Sequence, residues 1–261
     1  MYHPFSIAET IRTSWLILKR NFVPLIVYSA ISLLINAVID FFNAFIFVGD
    51  DRTSQFITIF VQMIVQSYLA LSFYKLVLIL IDEEYYEFEF KQIIPSFRMT
   101  INFIIIAFAY SLLIAVLLFI NALIEHFVSY LGILAVFRGL EFFFVLYLLL
   151  RSIFCVCFIV DDSSLPIESL RQSFEITKDN FFKTLAMFLI IIGILIAALI
   201  PIILLIVLFT QNEDTGEYIF KLAFYCWFIL TFPTVQVIIM VTYRKLVYSH
   251  LDLDDDIAET N

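Results

Sequence analysis

Asp40 is the most isolated acid in an apolar stretch of this sequence. It stands with Ser29, Ser32, Asn36 and Asn43 at spacings of 3, 4, 4 and 3, which put all five on one face of a helix. Gln55, Thr58, Gln62 and Gln66 share a face of the next apolar run, Arg138 and Glu141 stand one turn apart in a fourth run, and Lys221 begins a sixth. Polar groups are expensive to bury in lipid, so such positions are where ions, protons or polar solutes are handled. A cavity lined by Asn36, Asp40, Asn43, Gln62, Gln66, Arg138, Glu141 and Lys221, with Asp40 facing Arg138 or Lys221, would bind or conduct a polar solute. The same residues have a second reading. Amide and hydroxyl stripes hold helices together through hydrogen bonds worth about 0.6–2 kcal/mol each, and an Asp40–Arg138 pair would simply neutralise two charges. Both readings are open on sequence alone.

Other chemistry is sparsely represented. The sequence holds no nucleophile–base arrangement, no His-Glu-x-x-His motif and no carboxylate cluster at the face expected to be cytoplasmic, so catalysis is not expected. Cys155 and Cys157 fall on different faces of a helix, and His126 beside Glu125 is a lone pair, so no metal site is expected. Five glycines and three histidines leave no phosphate loop, and no cofactor or nucleic-acid partner is expected. The three cysteines lie in apolar runs and give no disulfide framework.

The elements that must position these residues follow from composition. The 261 residues are 63% hydrophobic, 18% aromatic and 15% charged, with a mean hydropathy of +1.02. A soluble domain is about 45–50% apolar and about 25% charged, so the solvent of this chain is lipid. Runs long enough to cross a bilayer, at about 20 residues each, occupy roughly 22–47, 56–81, 101–124, 133–160, 181–209 and 217–243. The first follows some twenty amphipathic residues rather than a short basic start, so no cleavable signal peptide is expected. The predicted fold is an all-α integral membrane protein with six transmembrane helices in a single membrane domain, 1–261. Pro201 and Pro233 are expected to kink their helices, and Gly193 with Ala197 to admit a neighbouring helix closely.

Lys and Arg set the orientation, whatever the net charge of −9. With the N-terminus in the cytoplasm, twelve of the fifteen basic residues fall on the cytoplasmic side, leaving Arg52, Arg138 and Lys221 outside. Both termini are therefore predicted to be cytoplasmic, with 251–261 a solvated, disordered acidic tail.

The chain also repeats itself. Residues 7–22 (IAETIRTSWLILKRNF) and 166–181 (PIESLRQSFEITKDNF) match at seven of sixteen positions: Glu9/Glu168, Arg12/Arg171, Ser14/Ser173, Ile17/Ile176, Lys19/Lys178, Asn21/Asn180 and Phe22/Phe181. Ala8, Ile11, Trp15, Leu18 and Phe22 form an apolar helical stripe. Adding 159 gives Ile167, Leu170, Phe174, Thr177 and Phe181, and adding 82 gives Phe90, Ile93, Phe97, Thr100 and Ile104. The pattern predicts three repeats, 1–81, 82–160 and 161–250, each an amphipathic cytoplasmic helix followed by two spans. Ser6-x-x-Glu9 reads as a capping box, Pro166 as a first helical residue, and Glu168–Arg171, Arg171–Glu175 and Glu175–Lys178 as pairs along the polar face. Such helices should lie at the interface with aromatic faces toward lipid, and Arg12 and Arg171 are expected to help dock them. Lys75, Arg151 and Lys245 each precede an acidic exit from an even-numbered span; they either snorkel to the membrane edge or carry the span end onto an amphipathic helix.

The segment Asp161-Asp162, then Pro166, Glu168, Leu170, Ser173, Thr177-Lys178, Asn180 and Lys183, resembles a pattern in a family of uncharacterised bacterial multi-pass membrane proteins. That family is similar to the membrane domain of some glycerophosphodiester phosphodiesterases. The resemblance is specific over about 25 residues and implies a six-helix bacterial inner-membrane protein. It carries over no phosphodiesterase activity, because the catalytic domain has no counterpart in these residues. Asp179 stands where the pattern usually has Gly, which predicts a different turn. The function expected is a non-catalytic scaffold or accessory protein whose amphipathic helices organise membrane lipids or a membrane or cytoplasmic protein partner. The alternative is a small-solute or lipid transporter using the polar cavity.

Overall fold

The computed structural model describes residues 6–46, 52–82, 90–127, 131–209 and 213–259, and side chains within 6–42, 56–82, 91–126, 132–204 and 220–247. Among the described residues the chain is helical and without strands: α1 (Ile7–Arg20), α2 (Phe22–Ile46), α3 (Arg52–Asp82), α4 (Phe90–Ile93), α5 (Phe97–Phe127), α6 (Leu131–Ser152), α7 (Cys155–Asp161), α8 (Pro166–Lys178), α9 (Phe181–Phe209) and α10 (Glu213–Glu259). Six stretches are long and apolar enough to cross a membrane: Phe22–Phe42, Phe56–Asp82, Lys91–His126, Gly132–Asp161, Phe181–Leu204 and Phe220–Val247. A helix satisfies its backbone groups within its own segment, as hydrocarbon requires, and the protein is a multi-pass membrane protein. Many large apolar side chains are uncovered, Phe108, Leu118 and Phe143 among them, as a lipid-facing surface requires.

The chain divides into two compact units, Met1–Ile94 with Leu185–Asn261, and Pro95–Thr184. In the first, α10 packs on α1, α2 and α3, and α2 packs on α3. Phe73 of α3 sits at its centre, 5.2 Å from the Tyr28 ring and 4.9 Å from that of Phe232. Tyr28 donates to the Leu69 carbonyl at 2.9 Å, and Trp227 to that of Leu195 at 3.4 Å. In the second, α8 packs on α5, α6 and α7, and α5 packs on α6 and α7.

Three features differ from the sequence expectation. The middle amphipathic helix is the single turn α4, because Pro95 disfavours helical backbone at Ile94 and cannot donate to the ladder; Ser96 then starts α5, its hydroxyl accepting from Met99 N–H at 3.3 Å. The fourth span is two helices, α6 and α7, broken at Ile153–Phe154. Finally, α10 runs to Glu259 through the acidic stretch expected to be disordered; after Pro233 that stretch contains neither Gly nor Pro to stop it. Pro201 and Pro233 lie within α9 and α10. Gly193 and Ala197 are exposed, with nothing within 4 Å of a Cβ built at Gly193, so no helix uses that notch among the described residues.

Candidate functional site

The helices expected to be amphipathic, α1 and α8, each have a buried and an exposed face. Ser6 caps α1, its hydroxyl accepting from Glu9 N–H at 3.5 Å, and Pro166 starts α8 after the extended Leu165. Asn21 closes α1 through its own amide, which donates to the Ile17 carbonyl at 3.2 Å. Asp179 closes α8 in ordinary right-handed backbone (φ −86, ψ −12), so this turn needs no glycine. Each helix then resumes as a span after one or two residues.

The face that packs is small and hydroxylated. On α1 and α2 the buried line is Thr10, Ser14, Leu18, Asn21, Leu25, Ser29 and Ser32; on α8 and α9 it is Ser169, Ser173, Ile176, Thr177, Thr184, Met187 and Ile191. Small residues let helix backbones approach, which is what drives packing where lipid removes the hydrophobic incentive. The apolar stripe is only partly covered: Trp15 is 61% exposed, Ile167 83% and Phe97 81%, with Ala8 and Phe22 also exposed, while Ile11, Leu170, Phe174 and Phe181 are half-buried and Leu18, Ile93, Thr100 and Thr177 are buried. Ser29 and Ser32, which open the polar stripe of the first span, therefore belong to a packing face continuous with α1.

The basic span ends all reach an amphipathic segment. Lys245 Nζ lies 2.8 Å from a Glu9 carboxylate oxygen, joining α10 to α1. Lys75 donates to the Ile94 carbonyl at 3.0 Å, just past α4. Arg151, at the end of α6, lies over the Phe174 ring of α8 at 5.0 Å and near the Tyr147 ring at 6.0 Å. Its backbone carbonyl accepts from Ser173 at 2.7 Å, and Ser173 in turn accepts from Phe154 N–H at 3.2 Å. The hydroxyl of Ser173 thus fills the break between α6 and α7. Arg244 pairs with Asp82, linking α10 to α3.

The other repeated residues are placed differently from expectation. Arg12, Lys19, Glu168 and Lys178 are exposed, and Arg171 is exposed and, among the described residues, pairs only along its own helix, with Glu175 at 3.0 Å. Docking falls to Ser173 and to the Glu9–Lys245 pair instead, because α8 turns its hydroxyl face to the protein and its arginine outward. Asn180 is half-buried, and its carbonyl accepts from Thr184 N–H at 2.9 Å and from the Thr184 hydroxyl at 3.1 Å.

Of the polar groups expected to line a cavity, two are engaged across the α5–α6 hairpin. Glu141 accepts from Asn121 at 2.6 Å, and Arg138 pairs with Glu125. Asn121 completes the first of these pairs; its polar amide deep in an apolar run, one helix away from Glu141, is the signal that locates it. In the first unit Asn36 donates to the Ser32 carbonyl at 2.9 Å, while its own carbonyl oxygen is buried without a hydrogen-bond partner among the described residues. Gln62 is half-buried, and Gln66, Asp40 and Lys221 are exposed; Asp40 makes no hydrogen bond or ion pair among the described residues. The side chains of Asn43 and Gln55 lie outside the described residues. Among the described residues no cluster of His, Cys, Asp and Glu has metal-binding geometry; Cys155 and Cys157 are buried within α7. Set against protein-family models, characterised proteins and solved structures, the chain matches none.

Proposed function

We propose that the protein is a non-catalytic scaffold or accessory protein of a bacterial inner membrane, both termini cytoplasmic, whose interfacial helices organise lipid or a partner. The observation that carries this reading is the apolar surface that α1 and α8 leave uncovered. Their hydroxyl faces are buried on span ends, and the apolar residues Trp15 and Ile167 are left uncovered, at the depth where an amphipathic helix meets headgroups. The excess of Lys and Arg at the same end supports the orientation, and the resemblance around 161–183 supports the bacterial membrane.

The finer architecture proposed is a triplicated module. Positions 10, 14 and 25 of the first copy and 169, 173 and 184 of the third, all 159 residues apart, are buried alike. The basic end of each even span (Lys75, Arg151, Lys245) holds the amphipathic segment of the next copy, with the last returning to the first. The bonded pairs Asn121–Glu141 and Arg138–Glu125 favour packing over a solute path in the α5–α6 hairpin. A transporter is the second reading, favoured by the buried Asn36 side-chain carbonyl, which lies one turn from Asp40 and has no hydrogen-bond partner among the described residues.

Fluorescence of Trp15 tests the scaffold reading. In a Trp227→Phe variant Trp15 is the sole tryptophan. In vesicles of brominated phosphatidylcholine its emission should be quenched most by bromines near the headgroup. Absence of quenching at every bromine depth would show that α1 does not lie on the membrane, and would overturn the reading.

A further inference from the structure

Within the second unit, α5, α6 and α8 enclose an open groove of about 500 Å³, the order of a single lipid acyl chain. Its walls are Ala109, Tyr110 and Leu113 of α5, Leu148 of α6, and Leu170 and Phe174 of α8. Two of these elements are long and apolar enough to cross a membrane, so the walls they contribute suit a hydrocarbon neighbour. At its rim stands Arg171, its side chain 80% exposed. Only its Nε is engaged, by Glu175, and its terminal nitrogens have no partner among the described residues. An arginine fork with free donors beside an apolar slot matches an oxyanion attached to a hydrocarbon chain.

We infer that this groove binds one membrane phospholipid, with an acyl chain along α5 and α6 and its phosphate on the terminal nitrogens of Arg171. The site rests on the interfacial placement of α8 and adds to it a defined occupant. It also gives Arg171, which docks nothing in the protein, a ligand outside it. Glu175 holds the guanidinium from the Nε side, which leaves the two terminal nitrogens free for a bidentate contact.

Native mass spectrometry of the full chain, released from detergent with added dioleoylphosphatidylglycerol or with dioleoylglycerol, tests this. Wild-type protein should retain one phosphatidylglycerol in preference to the diacylglycerol. Arg171→Gln should weaken that retention by about tenfold, the loss of one charge-assisted contact. Ala109→Trp, which fills the groove, should abolish it, while Leu112→Trp on the neighbouring uncovered face of α5 should not. Equal retention by all variants would mark the lipid as annular and overturn the proposal; so would loss in Ala109→Trp with none in Arg171→Gln, because the phosphate would then be held elsewhere. A diazirine-bearing phosphatidylglycerol on wild-type protein gives a readout that needs no variant to fold. Adducts should map to 109–113, 148 and 170–174, and adducts spread evenly over the spans would overturn the site. Such failure would leave the Trp15 quenching result standing, and the two readings fail separately.

Discussion

Ser173 donates its hydroxyl proton to the backbone carbonyl of Arg151 at 2.7 Å. With the acceptance from Phe154 N–H at 3.2 Å, one side chain of α8 satisfies a backbone carbonyl and a backbone N–H where α6 stops and α7 begins. A side chain inserted into the helical ladder is an established cause of such a break. Here it also fastens the amphipathic helix to the span.

Ser173→Ala should therefore lower stability by about 1–3 kcal/mol, the cost of leaving buried backbone groups without partners. Thr177, 3.5 Å from the same carbonyl, covers only part of the loss. Ser111→Ala removes an exposed hydroxyl bonded within its own helix and should change stability by less than about 0.5 kcal/mol. Thermal midpoints of the two variants in the same detergent decide the matter: equal midpoints would mean the bridge carries nothing.

The Glu9–Lys245 pair should behave as a partly exposed ion pair. A double-mutant cycle with Glu9→Gln and Lys245→Gln is expected to give a coupling below about 1 kcal/mol that shrinks as salt rises. Arg12→Gln, at an exposed position, should leave stability within about 0.5 kcal/mol. A larger effect at Arg12 than at Lys245 would return the docking role to the repeated arginine.

Asn121 and Glu141 are expected to couple across α5 and α6 by about 0.6 kcal/mol, the average for polar contacts between membrane helices. The cycle uses Asn121→Leu and Glu141→Leu, read by unfolding in mixed detergent. Additive effects would mean that Glu141 answers to something other than Asn121.

Much of this architecture is legible in the sequence, and for a physical reason. Spans announce themselves by length and apolarity because lipid tolerates little else, and the matching stretches at 7–22 and 166–181 mark α1 and α8. The packing face is harder to read. In water an apolar stripe is the side that is buried, whereas here Trp15 and Ile167 stay uncovered and Thr10, Ser14, Ser169 and Ser173 are hidden. The break at Ile153–Phe154 has no local sign, with neither Gly nor Pro between Arg151 and Val160; it is made by a residue some twenty positions downstream. The shortening of the middle helix to α4 does have a local sign in Pro95, whose constraint on Ile94 outweighs the apolar stripe running through it.

Asp40 provides the sharpest separation of scaffold from transporter. It is exposed on α2 and makes no ion pair among the described residues. A carboxylate on a lipid-facing helix surface is destabilising, by about 2.5–3.5 kcal/mol at mid-membrane and less toward the ends. On the scaffold reading Asp40→Leu should raise stability in lipid nanodiscs, by about 1 kcal/mol given its place near the end of the span, and Asp40→Asn should leave the membrane level of the protein unchanged. On the transporter reading the same acid faces a hydrated path beside Asn36, and Asp40→Leu would remove a solvated charge without gain. A fall in thermal midpoint for Asp40→Leu, together with loss of uptake of a polar solute in Asp40→Asn, would displace the scaffold reading. The stability comparison holds whatever the solute, because the sign of the change already reports whether this carboxylate meets hydrocarbon or water.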